Sequence, residues 1–317
     1  MARVLLTGAA GFLGSHLCDR LLAERHQLTG IDNLSTGSLE NLSHLESHPD
    51  FRFVTHDVRD PIDLGTFDIV MNFACPASPP TYQLDPVGTA RTCFQGTLNS
   101  LEVARRDGAR FMQASTSEVY GDPTVHPQPE TYRGTVNPIG PRACYDEGKR
   151  VGETLCFDYH RQYGLEMKVI RIFNTYGPRM NPDDGRVVSN FVVQALLGHD
   201  ITIFGEGEQT RSFCFVDDLV DGIMRMLNSQ SGFTGPVNLG NPEEFTIREL
   251  AEIVIEMTGS QSRIVYRPLP TDDPRQRRPT IDMAQQELKW SPSVRLREGL
   301  SRTIEYFDNV LSRRSAA

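Results

Sequence analysis

Lysine is scarce in this chain of 317 residues. Only three of its 32 basic residues are lysines, at positions 149, 168 and 289, so the remaining 29 are arginines. A lone arginine in a motif therefore carries little information, whereas a lysine at a functional spacing is a more specific signal. Tryptophan occurs once, and hydrophobic residues make up an ordinary 38% of the chain. The composition is that of a globular protein of one large core or two joined ones.

Several other features are missing. The net charge of −9 lacks the basic footprint of non-specific nucleic-acid binding, so we expect no nucleic-acid partner. The six cysteines show no C-x-x-C pair and no zinc spacing, which favours core thiols in a reducing cytoplasm and predicts no metal site. No apolar run approaches the ~18 residues of a membrane helix, and the first strand begins close to Met1, which predicts no membrane span and no signal peptide.

The start of the chain has the order strand, glycine turn, helix. Arg3 to Thr7 is a short apolar run, Gly8-Ala9-Ala10-Gly11-Phe12-Leu13-Gly14 follows directly, and Phe12 to Glu24 has apolar residues at helical spacing. Glycines let the backbone turn tightly and approach a pyrophosphate, which the helix N-terminus then binds. A second apolar run ends in Asp32, near the expected distance of ~20 residues for a carboxylate that binds the ribose of NAD. Asn33, not arginine, follows Asp32, which favours NAD over NADP.

Tyr145 and Lys149 stand four residues apart, which places them on one face of a helix. A free tyrosine has a pKa near ~10, and a neighbouring cation lowers that pKa by favouring the phenolate. The pair is therefore a proton shuttle suited to oxidising an alcohol. Ser115-Thr116-Ser117-Glu118 lies upstream, after a predicted strand.

The first 175 residues alternate strand-like and helix-like segments. Strands are predicted at 51–55, 68–73, 110–114 and 167–172, and helices at 86–106 and 145–163. This alternation predicts an α/β fold with a Rossmann-type doubly wound parallel sheet and a smaller C-terminal substrate-binding domain. We assign residues 1–175, plus about 212–238, to the NAD-binding domain. The smaller substrate-binding domain would comprise about 176–211 and 239–317, and residues 313–317 would be a frayed tail.

Five stretches carry a family resemblance. They are Ala-Cys-Pro-Ala-Ser-Pro at 74–79, Thr-Ser-Glu-Val-Tyr-Gly at 116–121, Tyr-Asp-Glu-Gly-Lys-Arg at 145–150, Arg-Ile-Phe-Asn-Thr-Tyr-Gly-Pro-Arg at 171–179 and Asp-Asp-Pro-Arg at 272–275. With the glycine turn and Asp32, the whole chain resembles the extended short-chain dehydrogenases/reductases that act on nucleotide sugars. Within that family it is most similar to the UDP-glucuronate decarboxylases.

This resemblance implies the residues of the site. NAD would be bound by Gly8, Gly11, Phe12, Leu13, Gly14, Asp32, Asn33, Asp57, Val58, Ala74, Tyr145 and Lys149. The catalytic residues would be Thr116, Ser117, Glu118, Tyr145, Lys149 and Arg275. UDP-glucuronate would be bound by Pro79, Tyr82, Glu118, Asn174, Arg179, Arg211 and Arg275. A homodimer is also implied, in which helices 86–106 and 145–163 pair across a two-fold axis.

The resemblance implies a reaction as well. Oxidation of the sugar at C4 would place a ketone β to the C5 carboxylate, carbon dioxide would leave, and re-reduction would give UDP-xylose. Ser117 and Glu118 would assist the protonation of C5. The related 4,6-dehydratases carry an aspartate in place of Ser117, and 4-epimerases generally lack Glu118. A UDP-sugar 4-epimerase, or another C4-oxidising enzyme, stays open as the alternative, and an NAD-sensing binding protein is the non-enzymatic one.

Overall fold

Seven parallel strands form the central sheet of the computed structural model, which describes residues 1–316 and the side chains up to residue 314. They are β1 Arg3–Thr7, β2 Gln27–Asp32, β3 Phe51–Thr55, β4 Ile69–Asn72, β5 Arg110–Thr116, β6 Met167–Ile172 and β11 Val237–Leu239. The strands pair in the order β11-β6-β5-β4-β1-β2-β3, and every neighbouring pair is parallel. The order reverses at β1, whose neighbours are β2 and β4, and this is where such sheets open a crevice for ligands.

Helices cover both faces of this sheet. They are α1 Phe12–Ala23, α2 Pro79–Leu84, α3 Pro86–Arg91, α4 Thr97–Asp107, α5 Ala143–Tyr163 and α7 Val216–Leu227. One strand shows how the layers arise. Val4 and Leu6 of β1 belong to a buried cluster shared with α1 and α7, whereas Leu5 belongs to a second cluster shared with α4 and α5. Successive side chains of a strand point to opposite faces, so a continuous apolar strand is buried between two helical layers.

A smaller part of the molecule lies beyond the sheet. It contains β8 Ile201–Phe204, β9 Thr210–Ser212, β12 Glu244–Thr246, β13 Ile264–Arg267 and β14 Gln276–Arg277, with α6 Val187–Leu196, α8 Ile247–Thr258, α9 Asp282–Leu288 and α10 Leu296–Ala316. β9 pairs with both β12 and β14, and β8 pairs with β13. The short strands β7 Thr175–Tyr176 and β10 Cys214–Phe215 pair with each other near the sheet.

The predicted doubly wound parallel sheet is confirmed. The sequence missed β11, the seventh strand, because three residues are too few for a periodic signal. The helix predicted at 86–106 is interrupted by a π-helical turn at Thr92–Gly96. α10 continues through the predicted frayed tail to Ala316, and Ala317 lies outside the described residues. The domain assignment stays a prediction.

Candidate active site

A large cavity lies at the carboxyl ends of the sheet strands. Its volume is about 1210 Å³, above the roughly 300–1,000 Å³ of most small-molecule sites. It is lined by the glycine turn after β1, by residues 32–33 after β2, by residues 73–79 after β4 and by residues 114–118 at the end of β5. Residues of the smaller part of the molecule, from 202 to 211 and from 270 to 277, contribute to its wall. The cavity has room for two ligands side by side.

The glycine turn has the geometry of a phosphate cradle. A Cβ atom on Gly14 would lie 1.9 Å from the carbonyl oxygen of Gly8, so a side chain there would separate α1 from the turn. Gly8 itself has φ +74°, and a Cβ there would lie 2.9 Å from the backbone nitrogen of Ala74. Gly11 precedes α1, and no side chain of the described residues caps the first amides of that helix. Those amides and the helix dipole suit a pyrophosphate.

Asp32 ends β2 and lines the same cavity. Its Oδ2 accepts a hydrogen bond from the backbone amide of Ala10 at 3.0 Å, and its Oδ1 accepts one from the amide of Leu34 at 2.8 Å. Burial raises the pKa of this carboxyl, although both amides act in the opposite direction. The carboxylate is thus fixed next to the glycine turn, where the sequence predicts a ribose.

Asp57 plays an indirect part in this region. Its carboxylate accepts hydrogen bonds from Arg59 at 2.6 Å and from the side-chain amide of Asn33 at 2.9 Å, and the bond from Arg59 holds its pKa far below the usual range. Asn33, Val58 and Arg59 line the cavity. Asp57 orients the side chains of Asn33 and Arg59 there, and its contact with NAD stays a prediction. Arg59 was missed, because no motif distinguishes it among 29 arginines.

Tyr145 and Lys149 lie one turn apart on α5, as predicted, and both are buried in the cavity wall. The Lys149 Nζ is 5.6 Å from the centroid of the Tyr145 ring and donates a hydrogen bond to the carbonyl of Ala114 at 3.0 Å. Burial raises the pKa of Tyr145 well above its usual value, and the side chain of Thr116 opposes this shift by hydrogen bonding. The sequence predicted a lowered pKa. The direction differs because removing water from the phenolate is the largest cause, and the charges of Cys75, Cys93 and Glu118 act in the same direction.

Glu118 is enclosed by two buried arginines. Its Oε2 accepts hydrogen bonds from Arg142 at 2.7 Å and from Arg277 at 2.9 Å, and Arg277 also donates to Oε1. Burial alone would raise the pKa of Glu118, but the charges of Arg277 and Arg142 outweigh it and lower the pKa to about 2. Glu118 is therefore ionised at neutral pH. It can accept hydrogen bonds, but the predicted role in protonating C5 would need the neutral acid.

The arginine that reaches this cluster is Arg277, not Arg275. The side chain of Arg275 is exposed and lies outside the cavity lining, and its backbone amide donates to Asp122 at 3.0 Å. Arg277 lies in β14 beside Arg211 of β9, which turns its side chain into the protein. The sequence has arginines at positions 275, 277 and 278 but does not show which of them reaches Glu118. The pairing of β14 with β9 selects Arg277. Arg142 was missed altogether because it belongs to no motif and approaches Glu118 only in the fold.

Asp146 adds an unusual carboxyl to the cluster. Its side chain is buried, and its Oδ1 has no hydrogen-bond partner among residues 1–316. Burial and the charge of Glu118 raise its pKa to about 7, against the opposing charges of Arg142 and Arg277. Folding therefore favours the protonated carboxyl, since the unfolded chain would ionise it near pH ~3.9.

A stability prediction follows for Asp146→Asn. Between about pH 4 and pH 7 the folded protein binds more protons at this position than the unfolded chain, so the wild type loses stability as the pH rises. The asparagine side chain of the variant does not titrate, so the variant does not lose stability in this way. We expect the melting temperature of the variant, relative to wild type, to increase by at least about 2 °C from pH 5 to pH 8. Asp158→Asn, at an exposed position of the same helix, is the control. A difference that does not change with pH would contradict the shifted pKa.

The predicted substrate residues divide into two groups. Pro79, Asn174, Arg179 and Arg211 line the cavity. Tyr82 does not. Its side chain is 1% exposed and stacks on Tyr145, with ring centroids 5.2 Å apart and an interplanar angle of 2°. Tyr82 therefore supports the ring of Tyr145 and does not face the cavity.

Residues 1–316 contain no group of three or more potential metal ligands, and none of their helices is long and apolar enough to cross a bilayer.

Comparison with known proteins decides the family. Residues 4–240 match the model of the NAD dependent epimerase/dehydratase family, and this range includes the glycine turn, Thr116, Tyr145 and Lys149. The chain belongs to this family. The predicted family and the predicted NAD cofactor are thereby confirmed.

Curated relatives are similar over nearly the whole chain. UDP-glucuronic acid decarboxylase 3 of Arabidopsis thaliana is 55% identical over 96% of this chain and 89% of its own length. UDP-glucuronic acid decarboxylase 1 of Danio rerio is 52% identical over 98% of this chain and 73% of its own length.

Solved structures are similar in fold at lower identity. UDP-glucose 4-epimerase of Thermotoga maritima is 32% identical, covers 98% of this chain and 99% of its own, and gives a TM-score of 0.87. UDP-glucuronic acid 4-epimerase of Bacillus cereus, solved with UDP-glucuronic acid and NAD, is 28% identical, covers 97% of this chain and 99% of its own, and gives a TM-score of 0.87.

A cofactor prediction follows for Asp32→Ala. Removing a carboxylate that is held beside the glycine turn should weaken NAD binding by roughly tenfold or more, since a charge-assisted hydrogen bond contributes about 1.5–3 kcal/mol. Titration of cofactor-free protein with NAD and NADP measures both affinities. Wild type should prefer NAD. If NADP binds the wild type as tightly as NAD does, our interpretation of Asp32 is wrong.

Proposed function

We propose that this protein converts UDP-glucuronate to UDP-xylose and carbon dioxide. One observation carries the proposal. The Thr116, Tyr145 and Lys149 set and the ionised Glu118 cluster line one cavity with the glycine turn, in a chain that is 51–55% identical to proteins named UDP-glucuronic acid decarboxylase. The set of Thr116, Tyr145 and Lys149 suits oxidation at an alcohol carbon. The Glu118 cluster provides charged side chains around the carboxylate that is lost.

Tyr145 is the base in this proposal. Burial raises the pKa of this phenol, so the positive charges of Lys149 and of bound NAD would have to favour the phenolate, which then takes the proton of the C4 hydroxyl while Thr116 hydrogen-bonds the same oxygen. NAD, when bound, would supply the hydride acceptor for C4 and the hydride for its later re-reduction, so the reaction would have no net redox change. The glycine turn, Asp32 and Asn33 are placed to hold that cofactor.

Loss of the carboxylate as carbon dioxide leaves the electron pair of the broken bond on C5, and a neighbouring group must accept it. The C4 ketone lies β to the carboxylate and accepts them as an enolate, and a hydrogen bond from the Tyr145 phenol to the C4 oxygen stabilises that charge. Glu118, kept ionised by Arg142 and Arg277, is a hydrogen-bond acceptor and is suited to orient a water or a sugar hydroxyl near C5. Ser117 lines the cavity beside it.

The UDP group is assigned to the wall contributed by the smaller part of the molecule. Thr202, Phe204 and Gln209 line the cavity there, and the aromatic ring of Phe204 is 44% exposed. An exposed aromatic ring in a cavity wall suits a stacked base. The buried Arg211 pairs with Asp273 at 3.0 Å and braces the loop that follows β13. We therefore retain Arg211, Arg179 and Asn174 as proposed substrate residues.

A 4-epimerase is the second candidate, because the solved structure from Bacillus cereus combines a closely similar fold with UDP-glucuronic acid. Higher identity to the decarboxylases over nearly the whole chain favours decarboxylation. Incubation of the purified protein with UDP-glucuronate distinguishes the two by mass spectrometry. The decarboxylase forms a UDP-pentose and releases carbon dioxide, whereas a 4-epimerase forms a product of unchanged mass. Quantitative formation of the latter alone would overturn the proposal.

We further infer a homodimer in the cytoplasm. Four apolar side chains in this region are exposed. The exposed fractions are 86% for Leu84 of α2, 70% for Val87 of α3, 45% for Phe94 of the π-helical turn and 39% for Val151 of α5. α3 packs beside α5, and exposed apolar side chains on neighbouring helices are suited to an interface. The cytoplasmic location is inferred from the six free cysteines.

Val87→Glu tests the dimer. A charge buried at an apolar interface without a partner is costly, so the variant should dissociate to a monomer at micromolar concentration while wild type stays dimeric. Sedimentation velocity measures both. Tyr266→Glu, which introduces a charge at an exposed aromatic position of β13 in the smaller part of the molecule, is the control. A monomeric wild type would refute the dimer.

A further inference from the structure

Two cysteines meet beside the catalytic pair. The Sγ atoms of Cys75 and Cys93 are 3.3 Å apart. Cys75 belongs to the turn after β4 and lines the cavity, where it is partly exposed. Cys93 lies in the π-helical turn between α3 and α4 and is buried. A small ligand in the cavity can therefore reach the first sulfur, and the second sulfur lies directly behind it.

The side chain of Cys93 also packs against the part of α5 that carries Tyr145 and Lys149. A Cβ added to Gly148 would lie 2.8 Å from the Cβ of Cys93 and 2.9 Å from its Sγ, so α5 and the cysteine are in close contact here. Cys93 and Tyr145 belong to one buried cluster, against which Cys75 packs. Displacement of either sulfur is therefore transmitted to the catalytic helix.

The two thiols are chemically unequal. A hydrogen bond with Cys93 lowers the pKa of Cys75, and the charge of Lys149 acts in the same direction against the effect of burial. The same hydrogen bond, together with burial, raises the pKa of Cys93. Cys75 is thus the sulfur that more readily becomes a thiolate, the form that reacts with oxidants. Cys93 is placed as the resolving thiol.

We propose that Cys75 and Cys93 form a dithiol site that a peroxide oxidises to a disulfide, and that this disulfide reversibly stops catalysis. The Cys75 thiolate attacks one peroxide oxygen, the O–O bond breaks, and a sulfenic acid and one water form. The Cys93 sulfur then attacks the sulfur of Cys75, the S–O bond breaks, and a second water leaves. Together the two thiols lose two electrons and two protons. The peroxide takes up these electrons and protons and becomes two waters.

Catalysis stops because disulfide formation shortens the distance between the sulfur atoms of Cys75 and Cys93. The sulfur atoms must approach from 3.3 Å to a bond of roughly 2.05 Å. This draws the cavity turn and the π-helical turn together and shifts the neighbours of Gly148 on α5. Tyr145 and Lys149 need their positions to within a fraction of an ångström, since small misplacements cost a large part of the rate.

The test uses full-length protein treated with hydrogen peroxide, followed by removal of the peroxide. Free thiols are alkylated, and peptide mapping locates any Cys75–Cys93 disulfide. Decarboxylation is measured before treatment, after treatment and after dithiothreitol. We expect the disulfide to form in parallel with an activity loss of at least about tenfold, and dithiothreitol to restore activity and both thiols. The activity readout rests on the proposed function. An untreated protein that releases no carbon dioxide would refute that function alone, and the peptide map would still test the dithiol.

Two variants identify the partners. Cys93→Ser should form no Cys75–Cys93 disulfide, and peroxide should instead leave a Cys75 sulfenic acid that dimedone traps and mass spectrometry detects. Cys144→Ser, which replaces a partly exposed cysteine beside Tyr145, should respond as wild type does. The proposal is wrong if wild type loses activity while both thiols remain free to alkylate, or if the linked protein keeps full activity. It is equally wrong if peroxide leaves Cys75 of Cys93→Ser unoxidised, with no dimedone adduct, because Cys75 is the proposed site of attack.

Discussion

Tyr145→Phe is expected to lower turnover by roughly 10³-fold or more while NAD stays bound, since one hydroxyl carries the proton transfer at C4. The aromatic ring would remain stacked on Tyr82, so the fold should be retained. Steady-state kinetics with UDP-glucuronate measure the loss, and thermal melting and NAD binding check that the variant is intact.

Tyr82→Phe is the matched control for this experiment. Its ring lies parallel to that of Tyr145, and its hydroxyl has no hydrogen-bond partner within the described part of the chain. Losing that hydroxyl should change turnover by less than about threefold, because no bond is broken. Near-normal turnover in Tyr145→Phe would remove Tyr145 from the mechanism. A Tyr82→Phe variant as inactive as Tyr145→Phe would show that the Tyr82 hydroxyl is also needed for catalysis.

Arg277→Gln is expected to reduce kcat/KM by roughly 100-fold or more. Arg277 is 3% exposed and donates to both oxygens of Glu118, so its loss leaves a buried carboxylate with Arg142 alone. Breaking a buried ion pair costs on the order of 3 kcal/mol or more. Part of this cost will appear as a lower melting temperature, and assays below that temperature report the effect on the site.

Arg275→Gln, two residues away, is the control. This arginine is exposed and lies outside the cavity lining, so its replacement should leave kcat/KM within about threefold of wild type. The double variant Glu118→Gln with Arg277→Gln tests the pairing. If Arg277 acts through Glu118, the double variant should be little worse than the worse single one. A larger defect in Arg275→Gln than in Arg277→Gln would restore the arginine that the sequence resemblance indicated.

The residues predictable from sequence are those that local geometry specifies. The glycine turn needs its backbone spacing between β1 and α1, Asp32 ends the next strand, and Tyr145 and Lys149 share a helical face. Each of these depends on neighbours within one element or one turn. Parallel strands then bring the elements together at one edge of the sheet, so the cavity follows from the topology.

The residues that were missed or misassigned depend on distant contacts. Arg142 reaches Glu118 across 24 positions of the chain and Arg277 across 159. With 29 arginines present, composition gives no reason to choose among them. The ionised state of Glu118 and the raised pKa of Asp146 depend on burial and on charges from several elements. The inward position of Tyr82 likewise depends on how α2 packs against α5.

Loss of the carboxylate carbon is the most direct test of the central proposal. UDP-glucuronate labelled with ¹³C at the carboxylate is incubated with purified protein in deuterated water and followed by NMR. We predict that the label moves entirely into carbon dioxide and bicarbonate, while UDP-xylose forms in equal amount with deuterium at C5. A label that stays in the sugar and appears in UDP-galacturonate would contradict decarboxylation and identify the protein as a 4-epimerase.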